Sequence, residues 1–125
     1  MPGTDRKRTA VEFLQLAAKG AARQALEPFF APGAKHHNAF FPAGMAALAK
    51  AMEQNAQANP DKILTVKHVL AEGDLVAVHS HVVMRAGDPG FVVVHLFRFA
   101  GDEIAELWDV GQQIPADSPN ADGVW

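Results

Sequence analysis

Leu75-Val-Ala-Val-His-Ser-His-Val-Val83 and Phe91-Val-Val-Val-His-Leu-Phe-Arg-Phe99 are the two runs on which the fold turns. Both are rich in β-branched and aromatic residues and read as strands. The break between them, Ala86-Gly-Asp-Pro-Gly90, reads as a hairpin loop. Side chains on a strand alternate faces, so His79 and His81 share one. A loop centred on Asp88 places His81 directly opposite His95. A fourth histidine, His37, belongs to the short polar segment His36-His-Asn38. Imidazoles gathered on an inward sheet face are poor core material and good site material.

Strand patterns continue on either side. Ile63 to Ala71, Leu75 to Arg85, Phe91 to Ala100 and Glu103 to Gln113 are four candidates with connections of only a few residues. Short connections force antiparallel neighbours. Upstream the period changes. A helix is expected from near Asp5, or from the capping-box spacing of Thr9 and Glu12, to Lys19-Gly20. A second covers Ala21 to Glu27 and stops at Pro28. Phe29 to Gly33 reads as a link, and Ala34 to Phe41 as extended chain. Met45, Leu48, Ala49, Met52 and Ala56 mark an amphipathic helix that ends at Asn59-Pro60. Helices first and strands afterwards imply an α+β domain spanning residues 1–125, with one face of an antiparallel sheet covered by the helices. Residues 115–125 read as an irregular tail.

The two sheet faces differ. Odd positions of the two central strands carry His79, His81, His95, Phe97 and Phe99, the composition of a pocket lining. Even positions carry Val76, Val78, Val82, Val92 and Val94. That flat β-branched face is expected to form a homodimer interface. If Gly101-Asp102 is a two-residue loop, Trp108 pairs with His95, Glu106 with Phe97, and Asp109 faces away. A slip of one residue would bring Asp109 inward.

Bulk composition narrows the function classes. A net charge of −3 gives no basic footprint for nucleic acid or for a membrane surface. No apolar run approaches the roughly 20 residues of a membrane span. The N-terminal segment lacks a signal peptide's apolar stretch, so a cytoplasmic location is expected. With no cysteine there is no disulfide framework and no thiolate chemistry.

The run Phe97-Arg-Phe-Ala-Gly-Asp-Glu-Ile-Ala-Glu-Leu-Trp-Asp-Val110, the strand with His79 and His81, the segment His36-His-Asn38 and the closing Asn120-Ala-Asp-Gly-Val-Trp125 together resemble the SnoaL-like branch of the nuclear-transport-factor-2-like superfamily. The resemblance implies a conical barrel of cystatin-like type, with a curved antiparallel sheet around N-terminal helices, a deep pocket and usually a dimer. Known members include polyketide cyclases that close rings by aldol condensation without cofactor or metal. By position, His81 and His79 match pocket residues and His37 a polar pocket residue. His95 stands where the family has an aspartate acid/base.

These readings yield one expectation and two alternatives. The expected activity is polyketide cyclase-like or isomerase-like acid/base chemistry on a small apolar carbonyl compound. His95 would be the base, with His81 or His79 donating to the enolate oxygen. His37, Phe97, Trp108 and Phe40 would line the substrate site. One alternative is a divalent transition metal held by His79, His81 and His95, since two same-face imidazoles and a third opposite leave a position open. The other is a module that binds a small ligand without transforming it.

Overall fold

The computed structural model describes residues 2–125, with side chains from Asp5 onward. Met1, with which the N-terminal segment begins, lies outside the described residues. The chain runs α1 (Pro2–Ala18), α2 (Ala22–Phe29), β1 (Phe30–His36), α3 (Met45–Ala58), β2 (Ile63–Glu72), β3 (Leu75–Val83), β4 (Phe91–Ala100) and β5 (Glu103–Gln113). Three helices pack on a curved five-stranded sheet in the order β1-β5-β4-β3-β2. Residues 114–125 form turns and irregular chain. Among the described residues, no helix is long and apolar enough to cross a membrane.

Helical spacing explains α1. Ala10, Phe13, Leu14 and Ala17 fall on one face, and all four are buried. Thr9 and Glu12 lie inside this helix, so their capping-box spacing does not mark its start. α1 stops at Ala18, and the chain turns away at Gly20, whose φ of +87° is the left-handed conformation that favours glycine. α2 runs to Phe29 and carries Pro28 in its last turn, where few helical hydrogen bonds remain to be forgone. Of the stretch read as a link, Phe29 closes α2 and Phe30 to Gly33 begin β1, which pairs parallel with β5. Its Pro32 and Gly33 disguise it as a turn, and the sheet edge tolerates both.

Two registers decide what faces the helices. On β3 and β4, Val78 pairs with His95, and His81 pairs with Val92. This pairing is three residues from the one that centres the loop on Asp88. β3 stops at Val83, so Met84 and Arg85 belong to the connection rather than to the strand. An odd shift exchanges the faces of one strand relative to the other. On β4 and β5, the pairs beside the tight turn, Phe99 with Ile104 and Ala100 with Glu103, follow the two-residue loop. A bulge between Arg98 and Phe99 then slips the rest by one. His95 therefore pairs with Asp109, and Trp108 with Leu96.

The inner face consequently combines even positions of β3 with odd positions of β4. Val76, Val78 and Val82, expected at a dimer interface, are buried core with Phe97, Phe99, Ile104 and Leu107. Phe13 seals this end, with its ring 4.8 Å from Phe30 and 6.2 Å from Phe97 in edge-to-face contacts. Arg6 ties α1 to both neighbouring turns through Gly101 O (3.0 Å) and Asp74 Oδ1 (3.1 Å). The opposite end of the inner face is open.

Candidate active site

At that open end lies a cavity of about 250 Å³. Leu64, Val82, Val93, His95 and Asp109 form its sheet side, and Leu14, Leu48, Met52 and Asn55 its helix side. The size suits a small organic molecule rather than a polymer. Apolar atoms dominate the lining, and the polar groups are few: Asn38, Asn55, Lys62, His95 and Asp109. A broader depression at the mouth shares Asn38, Val82, Met84, Val93 and Asp109 with the cavity, and adds His37 and Phe40 at the rim.

His95 is 7% exposed. Burial pushes its imidazole down from 6.5 to about 4; nearby Asp109 opposes the shift and Lys62 adds to it. The ring is therefore neutral at physiological pH. Its Nδ1, like the Oγ of Ser80 on the same face, is buried without a hydrogen-bond partner among the described residues. Buried polar atoms are ordinarily paired, so the unpaired Nδ1 of His95 marks its part of the cavity wall as unusual.

Asp109 sits directly across from His95 on β5 and accepts a hydrogen bond from Asn38 Nδ2 at 2.9 Å. Asn38 is placed by a chain of local bonds. The His36 ring donates from Nε2 to Pro42 O (2.7 Å), and its Nδ1 accepts the Asn38 N–H (3.1 Å). Asn38 Oδ1 in turn accepts the Phe40 N–H at 3.0 Å. These two bonds make His36 a neutral structural pin. On the helix side, Lys62 Nζ donates to Asn55 Oδ1 at 2.7 Å. Burial lowers the Lys62 amine below its usual range.

The histidines expected together are divided by the sheet. His79 and His81 face outward, because the register makes them share a face with Val92 and Val94 rather than with His95. His79 Nδ1 meets His68 Nδ1 at 3.0 Å, so the two rings take opposite tautomers. His81 donates to Pro89 O at 2.7 Å, and the Trp125 ring lies over His81 and His79 at 4.7 and 5.7 Å. A metal triad of His79, His81 and His95 therefore does not assemble. Among the described residues, no group of three or more His, Cys, Asp or Glu is disposed to hold a metal ion.

The expected substrate-binding residues scatter as well. His37 donates to Glu106 Oε2 (2.5 Å) and stacks on Trp108 at 5.1 Å, both on the outer side. Hydrogen bonds from His37 and Arg98 hold the Glu106 carboxyl below the usual carboxylate range. Phe97 is sealed in the core, and Phe40 is 88% exposed at the rim. Sequence reasoning did not assign Asn38, Asn55 or Lys62 to the site, and it brought Asp109 inward only as the outcome of a register slip. Asn55 had a signal, because it continues the stripe of Leu48 and Met52 at helical spacing. Asp109 had one in the single-residue slip that turns it inward.

Comparison with known proteins agrees with this architecture. A family model described as SnoaL-like domain matches residues 10–107. No match is found among curated proteins. Among solved structures, AclR of Streptomyces galilaeus, a candidate hydroxylase, is 24% identical over 88% of this chain and 90% of its own, with a TM-score of 0.72. A candidate SnoaL-like polyketide cyclase from Jannaschia sp. CCS1 is 18% identical over 88% and 87%, with the same score. A candidate ketosteroid isomerase from Kribbella flavida is 18% identical over 96% and 87%, at 0.71. At these identities what is shared is the fold.

Proposed function

Since this chain belongs to the SnoaL-like domain family, we propose that it is a cofactor-independent acid/base enzyme of cyclase or isomerase type, acting on a small carbonyl compound in the cavity beside His95 and Asp109. The observation that carries this reading is the carboxylate. Position 95 holds an imidazole where the family resemblance leads one to expect an aspartate. The bulge in β4 and β5 turns a different aspartate, Asp109, toward the same cavity.

The two groups divide the work by their chemistry. An imidazole depressed to about 4 is a weak proton acceptor, but its N–H remains a good donor. Asp109 is therefore assigned the proton. Its carboxylate takes a hydrogen from the carbon next to the substrate carbonyl and becomes a carboxylic acid. The electron pair moves onto the carbonyl oxygen, and the N–H of His95 stabilises the resulting enolate. The proton returns either to another carbon, giving an isomer, or to the alkoxide formed when the enolate carbon attacks a second carbonyl. Asn38 holds the carboxylate in place between these steps.

Nuclear magnetic resonance in heavy water tests the reading without knowledge of the natural substrate. The purified protein should accelerate deuterium uptake beside the carbonyl in at least one member of a panel of small ketones. Binding of panel members with no acceleration for any would favour a module that holds its ligand unchanged.

A further inference from the structure

We propose that Lys62, steadied by Asn55, is the anion-binding end of the cavity, and that the compound it takes is a ketone carrying a carboxylate. This rests on the reading of the cavity as the substrate site. Lys62 immediately follows the turn that ends α3. Its backbone N–H bonds Asn59 O at 3.0 Å, and its Nζ reaches back to Asn55 Oδ1 at 2.7 Å. The side chain is thus anchored at both ends and presented to an apolar cavity lined by Leu14, Leu48 and Met52. Among the described residues, no carboxylate lies within ion-pair distance of it. A partly buried ammonium without a counter-charge is costly, and an anionic ligand would supply that charge.

The strand order separates the charges along the cavity. Asp109 is on β5, His95 on β4, and Lys62 stands at the start of β2. By register Asp109 lies beside His95, whereas Lys62 precedes a strand two places further across the sheet. These three are the titratable groups of the lining. An anion at the Lys62 end is kept away from Asp109, while a carbonyl nearer the middle meets His95. The arrangement orients a two-ended molecule and disfavours its reverse.

Levulinate and levulinamide are a matched pair that differ in charge and little in shape. Dissociation constants for both, from ligand-observed magnetic resonance, should favour levulinate by about tenfold or more, the size of a hydrogen bond to a charged group. Lys62→Met should abolish that preference, and Lys62→Arg should keep it. Equal binding of the two by the unsubstituted protein, binding of neither, or a preference that survives Lys62→Met would overturn the proposal. The unsubstituted protein alone can give the first two results, so misfolding of a variant cannot protect the idea. A charge preference without deuterium exchange would sink the catalytic reading and leave this one standing. Exchange without charge preference would do the reverse.

Discussion

His95 shows what burial does to a single side chain. An unfolded imidazole takes up a proton near pH 6.5, whereas the folded one does so only near 4. Between those values the unfolded chain binds more protons, so stability falls as pH drops through the window. The loss reaches about 3 kcal/mol once both states are protonated. Urea unfolding at neutral pH and near pH 4 should show it, and His95→Gln should shrink the difference. An equal pH dependence in that variant would mean another group is responsible. Sequence alone marks His95 as a site candidate, because an imidazole in a run of Val, Leu and Phe is conspicuous. It does not separate His95 from His79 and His81, which look identical until pairing is known. Asp109 stays undecided in the sequence for the same reason: whether it faces inward depends on one bulge.

At the scale of elements, periodicity carries far. The bounds of β4 and β5 and the amphipathic stripe of α3 follow from local pattern, because a strand or helix declares its own period. Pairing between elements does not follow, since loop conformation sets it. Gly90 illustrates this. Its φ is +87°, and a Cβ there would lie 2.4 Å from Val82 O and 3.0 Å from His81 Nε2. The chain can enter β4 so close to β3 only with glycine at this point. Gly90→Ala should therefore cost roughly 1–3 kcal/mol and lower the melting temperature by several degrees. A melting curve unchanged from the parent would show that the hairpin tolerates a different entry, and would put the β3–β4 register in question. β1 escaped the sequence reading because its pairing partner is the last strand in the chain, and no local signal announces a distant parallel neighbour.

Across the whole molecule, the inner face is covered by helices at one end and opens into the cavity at the other, while the outer face keeps apolar groups in the open. Val94, Val110, Leu70, Leu75 and Ile63 are all exposed, Val110 at 72%. A patch of this kind is normally covered in solution. We expect a homodimer through this face, built from outward positions of β2, β3, β4 and β5 rather than from the buried valines of β3. Val110→Glu should shift sedimentation from dimer to monomer without loss of helical or sheet signal. A monomeric parent protein would remove this assignment. The same division of faces governs the chemistry, and it can be tested in one comparison. The deuterium-exchange rate on a responsive ketone should be measured for Asp109→Asn and His95→Gln on the inner face, beside His79→Ala and His81→Ala on the outer. The inner substitutions should each lower it by about 10²–10⁴-fold, and the outer ones should leave it at the parent value. Full activity in Asp109→Asn, or its loss in His79→Ala and His81→Ala, would contradict the account.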